Sequence, residues 1–218
     1  MAKKIKIPKK VLIGGITYDV KFVKRFREEL GDPWGFCNGR KSTIELLKIN
    51  YDGQKFSDAT LLGTFLHELL HSIDYVYCDT VSEERVIIRL TEIVYQLLSD
   101  NDFYIGEDKF PKFIRIFGTK FKVVTNYDFG NDLGTFNNLD SSACVSSCPC
   151  LIKIVSKKHT SSIDVITSHV LEVCMQYSVN TFFKEEEEAK INVSRFAAGL
   201  YQVLKSTKLD KMIRECNK

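Results

Sequence analysis

The stretch TLLGTFLHELLHSID, from Thr60 to Asp74, places two histidines and a glutamate inside an otherwise apolar segment. Its leucines recur at helical spacing, which predicts an amphipathic helix with one buried face. On that helix His67 and His71 are one turn apart and share a face. A hydrophobic core has no use for paired imidazoles beside the carboxylate of Glu68, so the pattern indicates a bound cation.

The residue types and their spacing fit zinc. Neutral imidazoles are good zinc ligands, and histidines at positions i and i+4 of a helix can bind the same ion. Glu68 is rotated by about 100° from His67 around the helix axis, so it lies outside the ligand set but within reach of a zinc-bound water. As a general base it would take a proton from that water, whose pKa zinc lowers. The sequence therefore predicts zinc at His67 and His71, with Glu68 as the catalytic residue.

A third zinc ligand is expected on the helix that follows. Apolar residues at helical spacing between Ile87 and Leu97 predict this second helix, and acidic residues precede them. Glu84 is the predicted third ligand, and its neighbour Glu83 is the alternative. Acidic side chains also stabilise helix N-termini electrostatically, which gives both glutamates a purely structural explanation as well.

The chain contains an internal repeat with a period of a little over one hundred residues. Three pairs of segments match in the same order along the chain: Ile7–Val23 with Phe110–Asn126, Leu61–Tyr75 with Val165–Val179, and Glu83–Leu98 with Glu186–Leu204. This repeat predicts two tandem lobes, residues 1–103 and 108–218, joined near Asn101–Lys109.

Each lobe is predicted to have strands first and helices second. A Gly-Gly pair between two β-rich runs in Lys10–Val23 is typical of a tight hairpin, and a further strand is expected at Thr43–Ile49. After Asp58 the hydrophobic period becomes helical. The predicted fold class is α+β, with each lobe a small antiparallel sheet packed on two helices.

The second lobe lacks the zinc motif. Leu171 and Met175 stand at the positions that align with the two histidines, and Glu172 stands at the position of the catalytic glutamate. Without paired imidazoles this lobe cannot hold zinc in the same way. Glu172 is therefore expected to be a surface or hydrogen-bonded residue, and His159 and His169 ordinary polar positions.

Composition argues against several classes of function. The net charge of +3 gives no general electrostatic reason to bind nucleic acid or a membrane, and no apolar run approaches the length of a membrane span. Seven cysteines without a secretion signal indicate a reduced, cytosolic protein. The clustered cysteines Cys144, Cys148 and Cys150 do not have the paired spacing of a zinc knuckle. The polar segment Phe129–Cys150 predicts a long loop, and Lys184–Lys190 a solvated helix start.

The segments GGITYDV, TFLHELLHSIDY and EERVIIRLTEIVYQLLSDN resemble the small HExxH zinc-metallopeptidase-like proteins of phages and prophages. They are more distantly similar to gluzincin-type peptidase domains such as the ImmA/IrrE group. The resemblance implies zincin-like lobes, zinc bound by His67, His71 and Glu84, and Glu68 as general base. It also implies a phage or mobile-element origin and a place of work in the cytoplasm of the bacterial host. The degenerate second lobe departs from the usual single unit.

Two classes of function fit these features. In the first, the protein is a zinc metallopeptidase acting on a cytoplasmic protein or peptide, with the second lobe contributing recognition. In the second, it is a non-catalytic protein-binding module, such as an inhibitor of a host defence or regulatory protein. Glu68 favours the peptidase, because a structural zinc site needs no neighbouring base. Tyr75, Tyr77 and Tyr95 are equally placed in the sequence to stabilise an oxyanion.

Overall fold

A computed structural model describes residues 5–26, 33–78, 82–107, 109–127, 143–147, 150–155, 163–183 and 191–216. These ranges contain eight strands: β1 (Lys10–Ile13), β2 (Ile16–Val23), β3 (Gly35–Asn38), β4 (Thr43–Leu47), β5 (Phe113–Ile116), β6 (Thr119–Tyr127), β7 (Ala143–Ser147) and β8 (Cys150–Val155). The same ranges contain five α-helices: α1 (Asp58–Ile73), α2 (Glu84–Asp100), α3 (Ile163–Phe182), α4 (Val193–Thr207) and α5 (Leu209–Cys216). A π-helical turn, Asp74–Cys78, continues α1. The predicted α+β class is confirmed.

The two four-stranded sheets share one strand order. The orders are β1-β2-β4-β3 and β5-β6-β8-β7. In each sheet the first hairpin and the outer pair are antiparallel, whereas β2 runs parallel to β4 and β6 runs parallel to β8. The prediction of antiparallel sheets is therefore wrong, since both sheets are mixed. The reason is that the chain crosses from β2 to the sheet edge, forms β3, and turns back as β4 in the direction of β2.

The first hairpins of the two sheets have corresponding registers. Their pairs correspond in order along the strands: Lys10–Asp19 with Phe113–Lys122, Val11–Tyr18 with Ile114–Phe121, Leu12–Thr17 with Arg115–Lys120, and Ile13–Ile16 with Ile116–Thr119. Each turn carries a glycine in the left-handed backbone conformation that such tight turns favour, Gly15 at φ +83° and Gly118 at φ +79°. Strand order, direction and hairpin register thus repeat from one sheet to the other.

The chain has two halves, one from β1 to α2 and the other from β5 to α5. Each half packs one of its helices on the sheet of the other half. Helix α1 packs on β3 and β4, and α3 packs on β7 and β8, but α4 packs on β1 and α2 packs on β5. Buried apolar residues of both sheets and all five helices form one continuous core. The division into two lobes, residues 1–103 and 108–218, remains a prediction. In the described ranges no helix is both long enough and apolar enough to cross a membrane.

The predicted loop Phe129–Cys150 contains a strand. Residues Ala143–Ser147 form β7 at the edge of the second sheet, and Cys150 begins β8. Strand β7 is established by its pairing with β8, and the polar residues of the surrounding segment gave no local sign of a strand. Other predictions concern residues outside the described ranges: the rest of that loop, Cys148, His159 and Lys184–Lys190.

Asn101 joins the end of α2 to the second sheet. Its side-chain nitrogen donates to the carbonyls of Leu97 at 2.9 Å and Arg115 at 2.7 Å, and its side-chain oxygen accepts from the Arg115 N–H at 2.6 Å. Its own backbone carbonyl accepts from Arg214 of α5 at 3.0 Å. With 5% exposure, Asn101 is a buried polar group whose partners lie in three elements.

Replacing Asn101 by alanine is expected to lower the free energy of unfolding by about 1–3 kcal/mol, because the backbone groups of Arg115 lose their partner. Urea denaturation measures this loss. Asp100→Ala, at the exposed neighbouring position, is the matched control and should change stability by less than about 0.5 kcal/mol. Equal unfolding free energies for the two variants would contradict the role assigned to Asn101.

Candidate metal centre

Helix α1 forms because its first turn is capped and its apolar residues share one face. The Ser57 hydroxyl accepts a hydrogen bond from the Thr60 N–H at 3.0 Å, which satisfies a donor of the helix N-terminus. The inner face is fully buried through Leu62, Phe65, Leu66, Leu69 and Leu70. His67 and His71 are only partly buried and line a cleft beside this face.

The three predicted ligands converge. Nε2 of His67 lies 3.0 Å from Oε1 of Glu84, and Nε2 of His71 lies 3.0 Å from Oε2 of the same carboxylate. The two Nε2 atoms are 3.1 Å apart. Glu83, the alternative ligand, instead pairs with Arg85 at 2.7 Å on the exposed side of the helix start. The structure therefore brings Glu84 to the histidines and leaves Glu83 outside the cluster.

The chemistry and spacing of these donors fit zinc. Ligand atoms of a tetrahedral zinc ion lie about 2.0–2.2 Å from the metal, and hence roughly 3.3 Å from one another. The separations of 3.0 and 3.1 Å in the cluster are close to that value. Two imidazole nitrogens and one carboxylate are also a ligand set typical of catalytic zinc sites, which keep a fourth position for water or substrate.

Thr91 of α2 orients the ring of His67. The Thr91 hydroxyl donates to the carbonyl of Ile87 at 2.7 Å and lies 3.3 Å from Nδ1 of His67. Because its hydrogen is already engaged, this hydroxyl accepts from Nδ1–H of the imidazole. The ring proton is therefore on Nδ1, and the lone pair of Nε2 points into the cluster. Helix α2 thus supplies both Glu84 and the group that sets the tautomer of His67.

His67 is held in the form that can bind a metal. Burial lowers the pKa of His67, the neighbouring His71 lowers it further, and Glu84 acts in the opposite direction. A metal binds the neutral imidazole, since protonation occupies the lone pair. The surroundings of His67 therefore favour its ligand form.

Glu68 is a nearly buried carboxylate beside the cluster, with 5% exposure. It accepts a hydrogen bond from the backbone N–H of Cys37 in β3. Burial, with a smaller contribution from the charge of Glu84, raises the pKa of Glu68 to about 8, and the Cys37 hydrogen bond acts in the opposite direction. The side chain predicted to be the base thus lines the same cleft as the ligands and is fixed by the sheet edge.

Strand β3 approaches α1 closely at Gly35, a residue that the sequence analysis missed. A Cβ atom at this position would lie 2.6 Å from Oε1 of Glu68 and 2.8 Å from Cγ2 of Thr64. These distances are far below van der Waals contact, so only glycine fits. The absent side chain provides the space that the carboxylate of Glu68 occupies.

Asp74 is a second residue that the sequence analysis missed. It is 2% exposed, and its carboxylate accepts from the Ser82 N–H at 2.7 Å and from the Ser82 hydroxyl at 3.1 Å. These bonds hold the chain just before α2, whose first residue is Glu84. Its sequence position could have indicated this role: Asp74 stands three residues after His71 and so lies on the helix face that carries both histidines.

The cluster lies in the middle of a groove. One cleft of about 380 Å³ and a neighbouring cleft of about 370 Å³ both include His67, Glu68 and Glu84 in their walls. Of the three tyrosines considered for an oxyanion, Tyr75 lines the first cleft. The Tyr77 hydroxyl instead donates to Gln202 at 2.8 Å, and Tyr95 lines a third cleft farther along α2.

The corresponding helix of the second half has an apolar interior. Leu171 and Met175, at the positions aligned with the histidines, are fully buried. Glu172 accepts a hydrogen bond from the hydroxyl of Ser194 at 2.5 Å. Among the residues that the structure describes, the one group with three possible metal ligands is that of the first half.

Comparison with known proteins provides no relative: no family model matches the chain, and no curated protein or solved structure gives a significant match.

Zinc is expected to bind at about one equivalent per chain, as for a single three-ligand site. The double variant His67→Ala/His71→Ala should lose it, because both imidazole donors are gone. Elemental analysis of protein dialysed against zinc measures the stoichiometry. His169→Ala and Glu83→Ala are the controls and should retain full occupancy. Full occupancy in the double variant, or loss in Glu83→Ala with retention in Glu84→Ala, would contradict the ligand assignment.

Gly35→Ala is expected to lower the free energy of unfolding by about 1–3 kcal/mol, because the added methyl group overpacks the contact between β3 and α1. Denaturant titration of the metal-free protein checks this. Gly63→Ala adds the same methyl group where nothing lies within 4 Å and serves as the control. An equal stability of Gly35→Ala and wild type would show that β3 does not press on Glu68.

Proposed function

We propose that the protein is a zinc-dependent metallopeptidase that hydrolyses a peptide bond in a protein or peptide. The observation that carries this proposal is the buried Glu68 carboxylate next to a three-donor cluster in an open groove. A structural zinc site would be closed by a fourth protein ligand and would have no use for a buried acid beside it.

His67, His71 and Glu84 would hold the ion, which when bound supplies a Lewis acid that polarises a substrate carbonyl and acidifies water. Glu68 would accept the proton of the attacking water and pass it to the leaving nitrogen. The Cys37 N–H and the gap at Gly35 hold its carboxylate in place, so little rearrangement is needed. Tyr75, which lines the same cleft, would donate a hydrogen bond to the developing oxyanion.

The edge position of β3 supports a peptide as the substrate. In the described part of the chain, β3 is the last strand of its sheet, and the Leu47 N–H donates to the carbonyl of Trp34 at 2.9 Å. By the alternation of an antiparallel pair, Gly35 and Cys37 direct their backbone groups away from β4. A substrate chain in extended conformation can therefore pair with Gly35 as an added strand, beside the cluster.

The second cleft also fits a peptide side chain. Trp34 and Ile88 both line it and are 51% and 45% exposed, although both are large and apolar. Exposed apolar side chains in a groove favour binding of an apolar group. We expect the substrate to place an apolar side chain between Trp34 and Ile88.

We further propose that the two halves are copies of one zincin-like lobe and that only the first has kept its metal site. The shared strand order, the corresponding hairpin registers and the aligned buried Leu171 and Met175 support this duplication. We propose a phage or mobile-element origin and the bacterial cytoplasm as the place of work. Cys37, Cys174 and Cys216 are free thiols, which agrees with a reducing compartment.

A non-catalytic protein-binding module is the second candidate. The apolar residues that occupy the ligand positions of the second half favour it, because they show that this scaffold can be packed without a metal. In that case the groove along β3 would bind its partner without hydrolysing it.

Glu68→Gln is expected to reduce peptide hydrolysis by about 10²–10⁴-fold, because the amide has the same shape but cannot accept the proton. Zinc content should stay at the wild-type level. Cleavage of a fluorogenic peptide library, with elemental analysis of the same samples, measures both quantities.

Glu83→Gln, at the exposed residue just before α2, is the matched control and should keep full activity. His67→Ala should lose zinc and hydrolysis together, because the Lewis acid departs. Undiminished hydrolysis by Glu68→Gln would exclude Glu68 as the base. An undiminished biological effect without hydrolysis would establish the binding module instead.

A further inference from the structure

We propose that helix α4 of the second half positions the zinc ligands of the first half, with Gln202 and Arg195 as positioning residues. This inference rests on the proposed zinc centre. Both side chains contact Tyr77 in the π-helical turn Asp74–Cys78, which follows the histidine helix. The turn is thus held by a part of the chain that has no ligand of its own among the described residues.

Gln202 ties the turn to the first hairpin. Its side-chain oxygen accepts from the hydroxyl of Tyr77 at 2.8 Å and from the backbone N–H of Gly14 at 2.8 Å. One amide oxygen therefore fixes the relative position of α4, the turn and the β1–β2 hairpin. The hairpin itself presses on the turn, since a Cβ at Gly14 would overlap with Cγ1 of Val76.

Arg195 holds the main chain of the turn. Its Nη1 donates to the backbone carbonyl of Tyr77 at 3.0 Å. Carbonyls in the last turn of a helix lack partners within the helix, and a cation at that end is electrostatically favourable. Arg195 of α4 therefore supplies a hydrogen-bond donor to the C-terminal end of α1 and its π-helical turn.

Close helix packing completes the contact. A Cβ at Gly199 would lie 2.7 Å from Cγ2 of Ile73 and 3.0 Å from Cδ2 of Tyr77. Glycine lets α4 approach the end of α1 without a side chain between them. Three residues of α4 thus lie against Tyr77: Gln202, Arg195 and Gly199.

The turn controls the distance between ligands on two helices. Within the turn, Asp74 holds Ser82 by two hydrogen bonds, and Ser82 precedes Glu84 by two residues. His71 precedes Asp74 by three residues on the other side. A displacement of the turn therefore moves Glu84 relative to the imidazoles, which must stay close to 3 Å from its carboxylate.

The test compares three variants of the full chain at neighbouring positions of α4. Gln202→Leu removes the shared acceptor, whereas Gln202→Glu keeps an oxygen that can accept both hydrogen bonds. Tyr201→Phe removes the hydrogen bond to Asp164 of α3, on the side away from the turn. Zinc affinity is measured by competition with a chromophoric chelator, and hydrogen exchange of the Ser82 amide is measured in the metal-free protein.

Gln202→Leu is expected to weaken zinc binding by about tenfold, the low end of the loss seen when a group that orients a metal ligand is removed. It should also accelerate exchange at Ser82. Gln202→Glu should restore both values. Tyr201→Phe should lower the melting temperature and leave zinc affinity unchanged. Should Gln202→Leu fail to fold, Arg195→Ala at its exposed position tests the same turn and should weaken zinc binding in the same direction.

Wild-type zinc binding that is unchanged in Gln202→Leu and in Arg195→Ala would overturn the positioning role and leave the zinc centre standing. A parallel loss of affinity in Tyr201→Phe would also overturn it, because the effect would then follow general stability. No zinc binding by the wild-type chain would overturn the zinc centre and the positioning role with it.

Discussion

The hydrogen bond from the backbone N–H of Cys37 to the carboxylate of Glu68 joins the edge of the first sheet to helix α1. A carboxylate with 5% exposure is costly to bury unless it is paired. Here the backbone donor of β3 offsets part of that cost, and Gly35 leaves room for the side chain. On the same helix, His67 and His71 lie against Glu84 of α2. The contact between β3 and Glu68 therefore brings the sheet edge to the ligand cluster.

The two halves of the chain depend on each other through their second helices. Helix α4 packs on the first sheet and α2 on the second, and an arginine at the aligned position of each helix contacts the end of the other half's first helix. Arg195 donates to the carbonyl of Tyr77, and Arg89 lies 5.6 Å from the ring centre of Phe183. Since the core is continuous, the half with the cluster is not packed independently. Each half therefore contributes to the packing of the other.

Local features of the site could be predicted from the sequence, because helix geometry is local. The spacing of His67 and His71 places their rings side by side on any helix, and the acidic start of the next helix pointed to Glu84. Gly35 and Asp74 were missed since their roles exist only where two distant elements meet. The same reason explains the wrong antiparallel sheets. A hairpin is visible in a sequence, but the choice of β4 rather than β3 as the neighbour of β2 depends on the long crossover between them.

In the second half of the chain, the helix α3 is packed by apolar residues. Its positions aligned with the two histidines hold Leu171 and Met175, which are fully buried and need no hydrogen-bond partners. Apolar packing of this kind is usually at least as stabilising as a buried polar cluster, which must be desolvated and paired. On the proposed duplication, apolar residues can fill these positions of the fold, yet the first half has histidines there. Polar groups that stability does not require are expected at sites of function. The cluster of His67, His71 and Glu84 around Glu68 is therefore better explained by chemistry than by folding.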